Sequence, residues 1–341
     1  MKRLLSLTLA LILAFSLCAC TGGESEETLV HEDTTPADFT EIRVAVLNGT
    51  TGFGIAPLYS DIQSGNDHNM NAKIDFYADA TLVAPLVIGG SVDIAAVPTN
   101  LAAVLYNKTK GAIEVLAVNT LGVLYILENG ESISSIEDLN GKTILASGKG
   151  STAESVLIHL IAKSGIGADI HWASEHTEAA TLALTGEYDI VMLPEPFVTN
   201  VTAKNENFRV ALDLSEEWKK LTGEDMTMGG IAVRKDFLEQ NPEAVAEFVK
   251  DSGMSIEFTN ANPAEAGVLI EKYGIAAAAV AENAIPRCNI VWLYGEEYKT
   301  VLKNFLTVLF EATLGNELLP LLLFIGIGAM IDFDPLLTNP K

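Results

Sequence analysis

The chain has 341 residues, and its 21 Lys and Arg face 45 Asp and Glu, giving a formal net charge of −24. This negative excess argues against nucleic acid or anionic lipid as the binding partner, because both carry negative charge themselves. The length allows one large or two medium domains, and it excludes neither an enzyme nor a binding protein.

The first twenty residues predict export. A basic start, Met1-Lys2-Arg3, leads into an apolar run from Leu4 to Leu17, which is typical of a secretory signal. The run is too short to span a membrane comfortably, since a span needs about 20 apolar residues. Leu17-Cys18-Ala19-Cys20 also resembles the bacterial lipobox, which implies cleavage before Cys20 and a lipid on that cysteine. An ordinary cleaved signal is the alternative.

The polar stretch Thr21-Gly-Gly-Glu-Ser-Glu-Glu27 continues as a flexible leash, so we predict a signal peptide over 1–19 and a linker over 20–40. Loss of Lys2 and Arg3 with the signal takes the net charge of the mature chain to −26. Only Cys288 then remains in the folded part, which excludes an intrachain disulfide. The predicted location is outside the cytoplasm, with a lipid anchor on the outer face of the cell membrane, or in the periplasm.

From Glu41 onward, strand and helix patterns alternate, which predicts an α/β fold with mainly parallel sheets. In chain order, the first predicted elements are a strand over 42–47, a strand over 73–77, a helix over 81–88, a strand over 92–97, a helix from 98 to about 108 and a strand over 113–118. A second run of the same kind has a strand over 142–146, a helix from about 152 to 164 and a strand over 189–193. From 228–233 onward the pattern becomes mostly helical, with helices at about 243–259, 263–273 and 295–311.

Four loops have the position at which open parallel sheets bind ligands, outside the carboxyl ends of the strands. The first, Asn48-Gly-Thr-Thr-Gly-Phe-Gly54, combines glycines, two hydroxyls and the aromatic ring of Phe53. The others are Pro98-Thr99-Asn100, the glycine-rich Gly148-Lys-Gly-Ser-Thr152 at a helix start, and the loop that carries Glu195. The helix start suits an anionic group, whereas the Glu195 carboxylate suits an amine.

Each candidate has a purely structural alternative. Thr99, Asn100, Ser151 and Thr152 are residue types that cap helices without any ligand. Phe53 is an aromatic that often belongs to a core, and Glu195 between two prolines is compatible with an exposed turn. Gly148-Lys149-Gly150 lacks the Walker A spacing, and His171 and His176 lack the spacing of a two-histidine metal site, so we expect no nucleotide, metal or cofactor.

Six fragments in order, over about residues 41–311, resemble the substrate-binding proteins of ABC importers that serve nitrate, sulfonates, taurine and thiamine-pyrimidine precursors. The fragments are Gly49-Thr-Thr-Gly52, Ile88-Gly-Gly-Ser-Val-Asp-Ile-Ala95, Ile136-Glu-Asp-Leu-Asn-Gly-Lys-Thr143, Gly148-Lys-Gly-Ser-Thr152, Gly186-Glu-Tyr-Asp-Ile190 with Pro194-Glu-Pro-Phe197, and Val233-Arg-Lys-Asp-Phe-Leu-Glu-Gln-Asn-Pro242.

The resemblance implies a two-lobed periplasmic-binding-protein-like fold of type 2. Two crossover hinge segments, near 120–125 and 227–233, would join a discontinuous lobe 1 (41–122 and 228–311) to lobe 2 (123–227). It also implies ligand contacts from the two lobes, with Asn119 and Thr120 as weaker candidates. These contacts are Thr50, Thr51, Gly52, Phe53, Thr99, Asn100, Asn119, Thr120, Gly150, Ser151, Thr152 and Glu195.

The function implied is capture of a small solute for an ABC permease, without catalysis. An aminopyrimidine is slightly favoured over a small sulfonate or other anion, because none of the four loops contains an arginine. A ligand sensor for a signalling partner is one alternative, and a pyrimidine-precursor or menaquinone-pathway enzyme of the same fold is another. The pyrimidine synthase of this fold carries a cysteine-rich iron motif, and the mature domain has only Cys288.

The end of the chain departs from this family. Residues 318–331 contain no charge, and residues 314–341 resemble a fragment of the membrane β-subunit of sodium-pumping decarboxylases. The run is too short for a full membrane span. We therefore expect residues 312–341 to be foreign to the fold, as in a joined reading frame.

Overall fold

A computed structural model describes residues 40–66, 68 and 70–315, and side chains as far as residue 309. The proposed lipid site Cys20, the signal, the linker and the apolar run 318–331 lie outside the described residues. Within the described part, no helix is both long enough and apolar enough to cross a membrane.

The strands follow the predicted pattern and add elements that the sequence did not reveal. They are β1 (Glu41–Leu47), β2 (Asn71–Tyr77), β3 (Ile94–Pro98), β4 (Ile113–Leu121), β5 (Leu124–Asn129), β6 (Thr143–Ala146), β7 (Asp169–Trp172), β8 (Ile190–Pro194), β9 (Phe208–Asp213), β10 (Thr227–Arg234) and β11 (Ile290–Tyr294).

The helices cover both faces of the sheets. They are α1 (Thr50–Phe53), α2 (Ala56–Gln63), α3 (Ala80–Ile88), α4 (Thr99–Lys108), α5 (Thr152–Lys163), α6 (His176–Leu184), α7 (Phe197–Lys204), α8 (Leu214–Thr222), α9 (Lys235–Gln240), α10 (Pro242–Ala261), α11 (Pro263–Lys272), α12 (Ala278–Ala284) and α13 (Glu296–Gly315), with short 3-10 helices at Ile136–Leu139 and Ile285–Arg287.

The strands form two sheets, which define two lobes. Lobe 1 contains the sheet with strand order β11-β4-β10-β3-β1-β2, built from both ends of the described chain, and lobe 2 contains the sheet with order β7-β6-β8-β5-β9. The two-lobed α/β architecture predicted from the sequence is confirmed. Both sheets are mixed, because β10 runs antiparallel to β3 and β4, and β5 runs antiparallel to β8 and β9.

The chain passes between the sheets twice. Gly122 and Val123 connect β4 to β5, and the segment after α8 leads into β10. Gly122 suits this passage, since a Cβ atom there would lie 2.1 Å from the Ser215 hydroxyl oxygen. Each passage enters its next sheet in the direction opposite to the parallel strands. In lobe 1, β11 is antiparallel to β4 as well.

Helix α13 ties the two lobes together at the end of the described chain. It begins after β11 of lobe 1 and packs against α5 of lobe 2. The buried Phe305 ring lies 5.5 Å from the Trp218 ring of α8, centroid to centroid, and Asn304 Nδ2 donates to Glu224 Oε2 at 2.8 Å. One hydrophobic cluster therefore includes residues of both lobes.

Candidate functional site

The carboxyl ends of the parallel strands in the two sheets meet at the passage between the lobes. In lobe 1, β3 and β4 end beside the first residues of β10, and β1 runs parallel to β3 on its other side. In lobe 2, β8 ends beside the first residues of β5, and β6 runs parallel to β8. The Glu195 amide donates to the Val123 carbonyl of the passage at 3.0 Å. The loops in which open α/β sheets bind ligands therefore lie on both sides of one interlobe region.

On the lobe 1 side, three predicted site residues converge around Gly229 of β10. A Cβ atom at Gly229 would lie 2.7 Å from Asn119 Oδ1, and 2.9 Å from each of the Thr120 and Thr51 hydroxyl oxygens. All three side chains are buried. Because Gly229 has no side chain, the hydroxyls of Thr51 and Thr120 and the amide of Asn119 can converge beside it.

The other lobe 1 candidates have more structural roles. The Thr99 hydroxyl donates to the Thr227 carbonyl at 2.8 Å, so it fastens α4 to β10 instead of capping its helix. Gly52 lets α1 approach β1, because a Cβ atom there would lie 2.8 Å from the Leu47 carbonyl oxygen. Thr50 and Asn100 are half-buried in the first turns of α1 and α4.

Phe53 is a core residue in this structure. Its side chain is fully buried, in a cluster with Ile256, Ile270 and Ile285. The segment 50–53 forms a helical turn, which directs the ring into lobe 1. Phe53 therefore packs in the core and does not present its ring to a ligand.

The glycine-rich loop of lobe 2 is largely satisfied internally. Ser151 caps α5, since its hydroxyl accepts from the Ala153 amide at 3.2 Å and donates to the Gly148 carbonyl at 2.6 Å. The Gly150 amide donates to the Glu154 carboxylate at 2.7 Å, and Thr152 is buried in the first turn. The Glu154 carboxylate thus accepts from the Gly150 amide, which lies in the loop that the sequence predicted to bind an anionic group.

Two lobe 2 residues that the sequence did not assign to the site lie beside this loop. His176 Nδ1 and the Ser147 hydroxyl oxygen are 2.7 Å apart, and the His176 ring lies 5.3 Å from the Phe197 ring, centroid to centroid. Burial lowers the pKa of His176 below its ordinary value of 6.5, and the charge of Glu175 opposes this only in part. The imidazole is therefore neutral at pH 7, able to donate or accept a hydrogen bond.

Glu195 is buried and paired with an arginine of the other lobe. Its Oε1 atom accepts from Arg287 Nε at 2.6 Å and from the Thr199 hydroxyl at 3.0 Å, while Oε2 accepts from the Thr199 amide at 3.0 Å. Arg287 Nη2 also donates to the Thr199 hydroxyl oxygen at 2.7 Å. The alternative that Glu195 is an exposed turn residue is wrong, because its side chain has no solvent-accessible surface.

The surroundings of this pair are poorly hydrated. The Tyr125 hydroxyl donates to the Arg287 carbonyl at 2.7 Å, and burial raises the pKa of that phenol. Burial also raises the pKa of the adjacent Cys288 thiol, and the charge of Glu195 raises it further. Electrostatic interactions are stronger in such an environment than in water.

The sequence contains a signal for His176 and none for Arg287. The spacing of His176 was compared only with that of a metal site. Its position at the start of a helix beside the glycine-rich loop is the signal for the site. Arg287 lies far from the four loops along the chain, so no local pattern pointed to it. Among the described residues, no group of three or more His, Cys, Asp or Glu is arranged to hold a metal ion.

The arrangement of two α/β lobes is the fold of the solute-binding proteins of ABC import systems. The family described as NMT1/THI5 like matches residues 53–266. The chain belongs to this family. A comparison with curated proteins finds no match to this chain.

Solved structures with the same fold include an ABC transporter protein from Parabacteroides distasonis, 21% identical, with a TM-score of 0.67 over 80% of this chain and 92% of that one. The periplasmic aliphatic sulphonate binding protein SsuA from Escherichia coli is 14% identical, with a TM-score of 0.69 over 88% and 92% of the two chains. The alkanesulfonate-binding protein SsuA from Xanthomonas axonopodis pv. citri, bound to MOPS, is 14% identical, with a TM-score of 0.62 over 85% and 97%.

A second family, the Na⁺-transporting oxaloacetate decarboxylase beta subunit, matches residues 259–341. The described part of this stretch is built into lobe 1. Strand β11 pairs with β4, α11 packs on α12, and Asn260 Nδ2 donates to the Ile290 carbonyl at 2.8 Å. Residues 259–309 are thus an integral part of the two-lobed fold, and helix α13, which begins at Glu296, continues to Gly315.

Proposed function

We propose that this chain is an extracytoplasmic solute-binding lipoprotein that captures a small molecule between its lobes and delivers it to an ABC importer. The observation that carries the proposal is that each lobe has a polar cluster at the carboxyl ends of its strands, on the side of the passage. One consists of Thr51, Asn119 and Thr120, and the other of Ser147 and His176. Family membership supports the same function.

The proposed binding step needs no chemical change in the solute. A solute that contacts both clusters favours the closed arrangement of the lobes by its differential affinity for that state. Closure displaces water, so hydroxyls, amides and a neutral imidazole can fix the orientation of the solute by hydrogen bonds. These groups suit recognition and release, and we propose no catalytic role for them.

The proposed anchor is a lipid on Cys20, which would keep the receptor at the outer face of the cell membrane, near its permease. The lipobox resemblance supports this. Labelling of the natural protein with radioactive palmitate tests it, because Cys20→Ala should abolish the label. Label retained by this variant, or absent from the wild type, would contradict lipidation without affecting the solute-binding proposal.

The proposed solute is an aminopyrimidine-like compound or a small sulfonate or other anion. Thermal unfolding of the mature chain from Cys20 to Lys341 tests binding with aminopyrimidines, sulfonates, nitrate and amino acids. A ligand at a hundred times its dissociation constant adds about 2.7 kcal/mol to the free energy of unfolding. An increase in melting temperature with one class supports solute binding, whereas no increase with any class would contradict it.

A further inference from the structure

We propose that Arg287 is a specificity-determining residue that contacts the solute, and that it makes the site select a small organic anion, a sulfonate or carboxylate, over an amine. The inference rests on the proposed solute-binding function and names the substrate class of the same site. A bound amine would need the Glu195 carboxylate as its acceptor, but Arg287 and Thr199 already donate to that carboxylate.

The carboxylate of Glu195 is already satisfied by the protein. It accepts hydrogen bonds from Arg287 Nε and from the hydroxyl and amide of Thr199. A solute amine would have to displace the guanidinium from a buried carboxylate, and removing one partner of such a pair is strongly unfavourable. Glu195 therefore serves to position Arg287.

The guanidinium, in contrast, keeps donor capacity. Nε and Nη2 point to Glu195 and Thr199, whereas Nη1 has no hydrogen-bond partner within the described part of the chain, and 38% of the side-chain surface is exposed. Two fixed contacts hold the planar guanidinium in one orientation. The side chain therefore loses less conformational entropy when a ligand binds to it.

The location favours contact with a solute. Arg287 belongs to lobe 1, and its side chain reaches Glu195 and Thr199, which follow β8 in lobe 2. Phe197 lies between these two residues in the chain, and its ring is 5.3 Å from the His176 ring, centroid to centroid. The buried phenol of Tyr125 donates to the Arg287 carbonyl, so the backbone is held as well. A charge-assisted hydrogen bond from a fixed guanidinium to an oxyanion is roughly twice as strong as one between neutral groups.

The chain contains a matched control. Arg209 Nη2 lies 2.7 Å from the buried Glu128 Oε2, and 37% of the Arg209 side chain is exposed. This pair sits at the far end of β5 from Leu124, away from the passage. Arg209→Gln therefore reproduces the loss of a half-exposed arginine beside a buried glutamate, outside the proposed site.

The test measures dissociation constants of the full mature chain for two probes, ethanesulfonate and 4-amino-5-hydroxymethyl-2-methylpyrimidine. We expect the wild type to bind ethanesulfonate more tightly than the pyrimidine. Arg287→Gln should weaken ethanesulfonate binding at least about tenfold. Glu195→Gln removes one of the two contacts that hold the guanidinium but keeps its charge, so it should weaken ethanesulfonate binding less than Arg287→Gln does. Arg209→Gln should bind like the wild type.

The double variant Glu195→Gln/Arg287→Gln guards against misfolding, because it leaves no buried charge unpaired. It too should lose ethanesulfonate. Unchanged ethanesulfonate binding in Arg287→Gln, or pyrimidine binding that Glu195→Gln abolishes, would overturn the inference and leave solute binding standing. Failure of the wild type to bind ethanesulfonate would also overturn the inference, while the wider solute screen would still decide the proposed function.

Discussion

Arg287 Nε lies 2.6 Å from Glu195 Oε1, and this ion pair joins a 3-10 helix of lobe 1 to the end of the strand β8 in lobe 2. The carboxylate is buried and the guanidinium is partly exposed. Hinge motion that separates the lobes must either carry both groups together or break the pair. The pair therefore links the stability of the fold to the relative position of its lobes.

The asymmetry of the pair predicts unequal costs. Arg287→Leu leaves a buried carboxylate without its cation and should lower the free energy of unfolding by about 3 kcal/mol. Glu195→Gln leaves a partly hydrated guanidinium and should cost about 1 to 2 kcal/mol. Urea denaturation of the variants measures both changes. Equal losses, or a larger loss in Glu195→Gln, would contradict the burial difference.

Gly229 should tolerate no side chain. In Gly229→Ala, the new methyl group would meet Asn119, Thr120 and Thr51 at under 3 Å, so all three side chains must move. We expect a loss of about 1 to 3 kcal/mol in the free energy of unfolding and weaker solute binding.

Gly167→Ala is the matched control for this substitution, because a Cβ atom at Gly167 would meet nothing within 4 Å. Calorimetric unfolding and a binding titration compare the two variants. If Gly229→Ala unfolds and binds like Gly167→Ala, the three side chains do not form the cluster described.

The stability of the chain should fall as the pH drops from about 6.5, the ordinary pKa of histidine. Burial lowers the pKa values of His176 and His159, so the unfolded chain takes up protons first and is favoured in acid. Each histidine contributes a slope of at most about 1.4 kcal/mol per pH unit, and its contribution is complete above pH 6.5.

His176→Gln should make this pH dependence shallower below pH 6.5. Urea denaturation across this pH range measures the slopes. The same slope in His176→Gln and the wild type would show that the imidazole is not held neutral by burial.

Helix α13 should stabilise both lobes. Phe305 is fully buried against Trp218 of lobe 2, so Phe305→Ala should lower the free energy of unfolding by about 3 to 5 kcal/mol. Thr307→Ala, at an exposed position of the same helix, is the control. A stability of Phe305→Ala close to that of the control would mean that the helix is not part of the fold.

Much of the fold was predictable from local patterns. Apolar runs such as 42–47 and 113–118 gave strands close to β1 and β4, and Pro242 marked the start of α10. Short strands such as β7 and β11 were missed, because their few residues carry no distinctive alternation. The antiparallel direction of β5 and β10 depends on pairing across the chain, which no local pattern records.

The site was predictable only in part. Thr51 comes shortly after β1, Asn119 lies near the end of β4 in the same sheet, and the structure brings them together around Gly229. The pairing of Glu195 with Arg287 depends on a contact between residues 92 positions apart, so it was not visible in the sequence. That contact changes the expected preference of the site from an amine to an anion.

The central claim is that a solute binds between the two strand-end clusters and needs both. Isothermal titration calorimetry of the compound that raises the melting temperature most tests it directly, with the wild type, Asn119→Ala and Ser147→Ala. The account predicts one solute per chain, and binding at least about tenfold weaker in each variant. Wild-type affinity in either variant would place the solute outside this interlobe region and contradict the account.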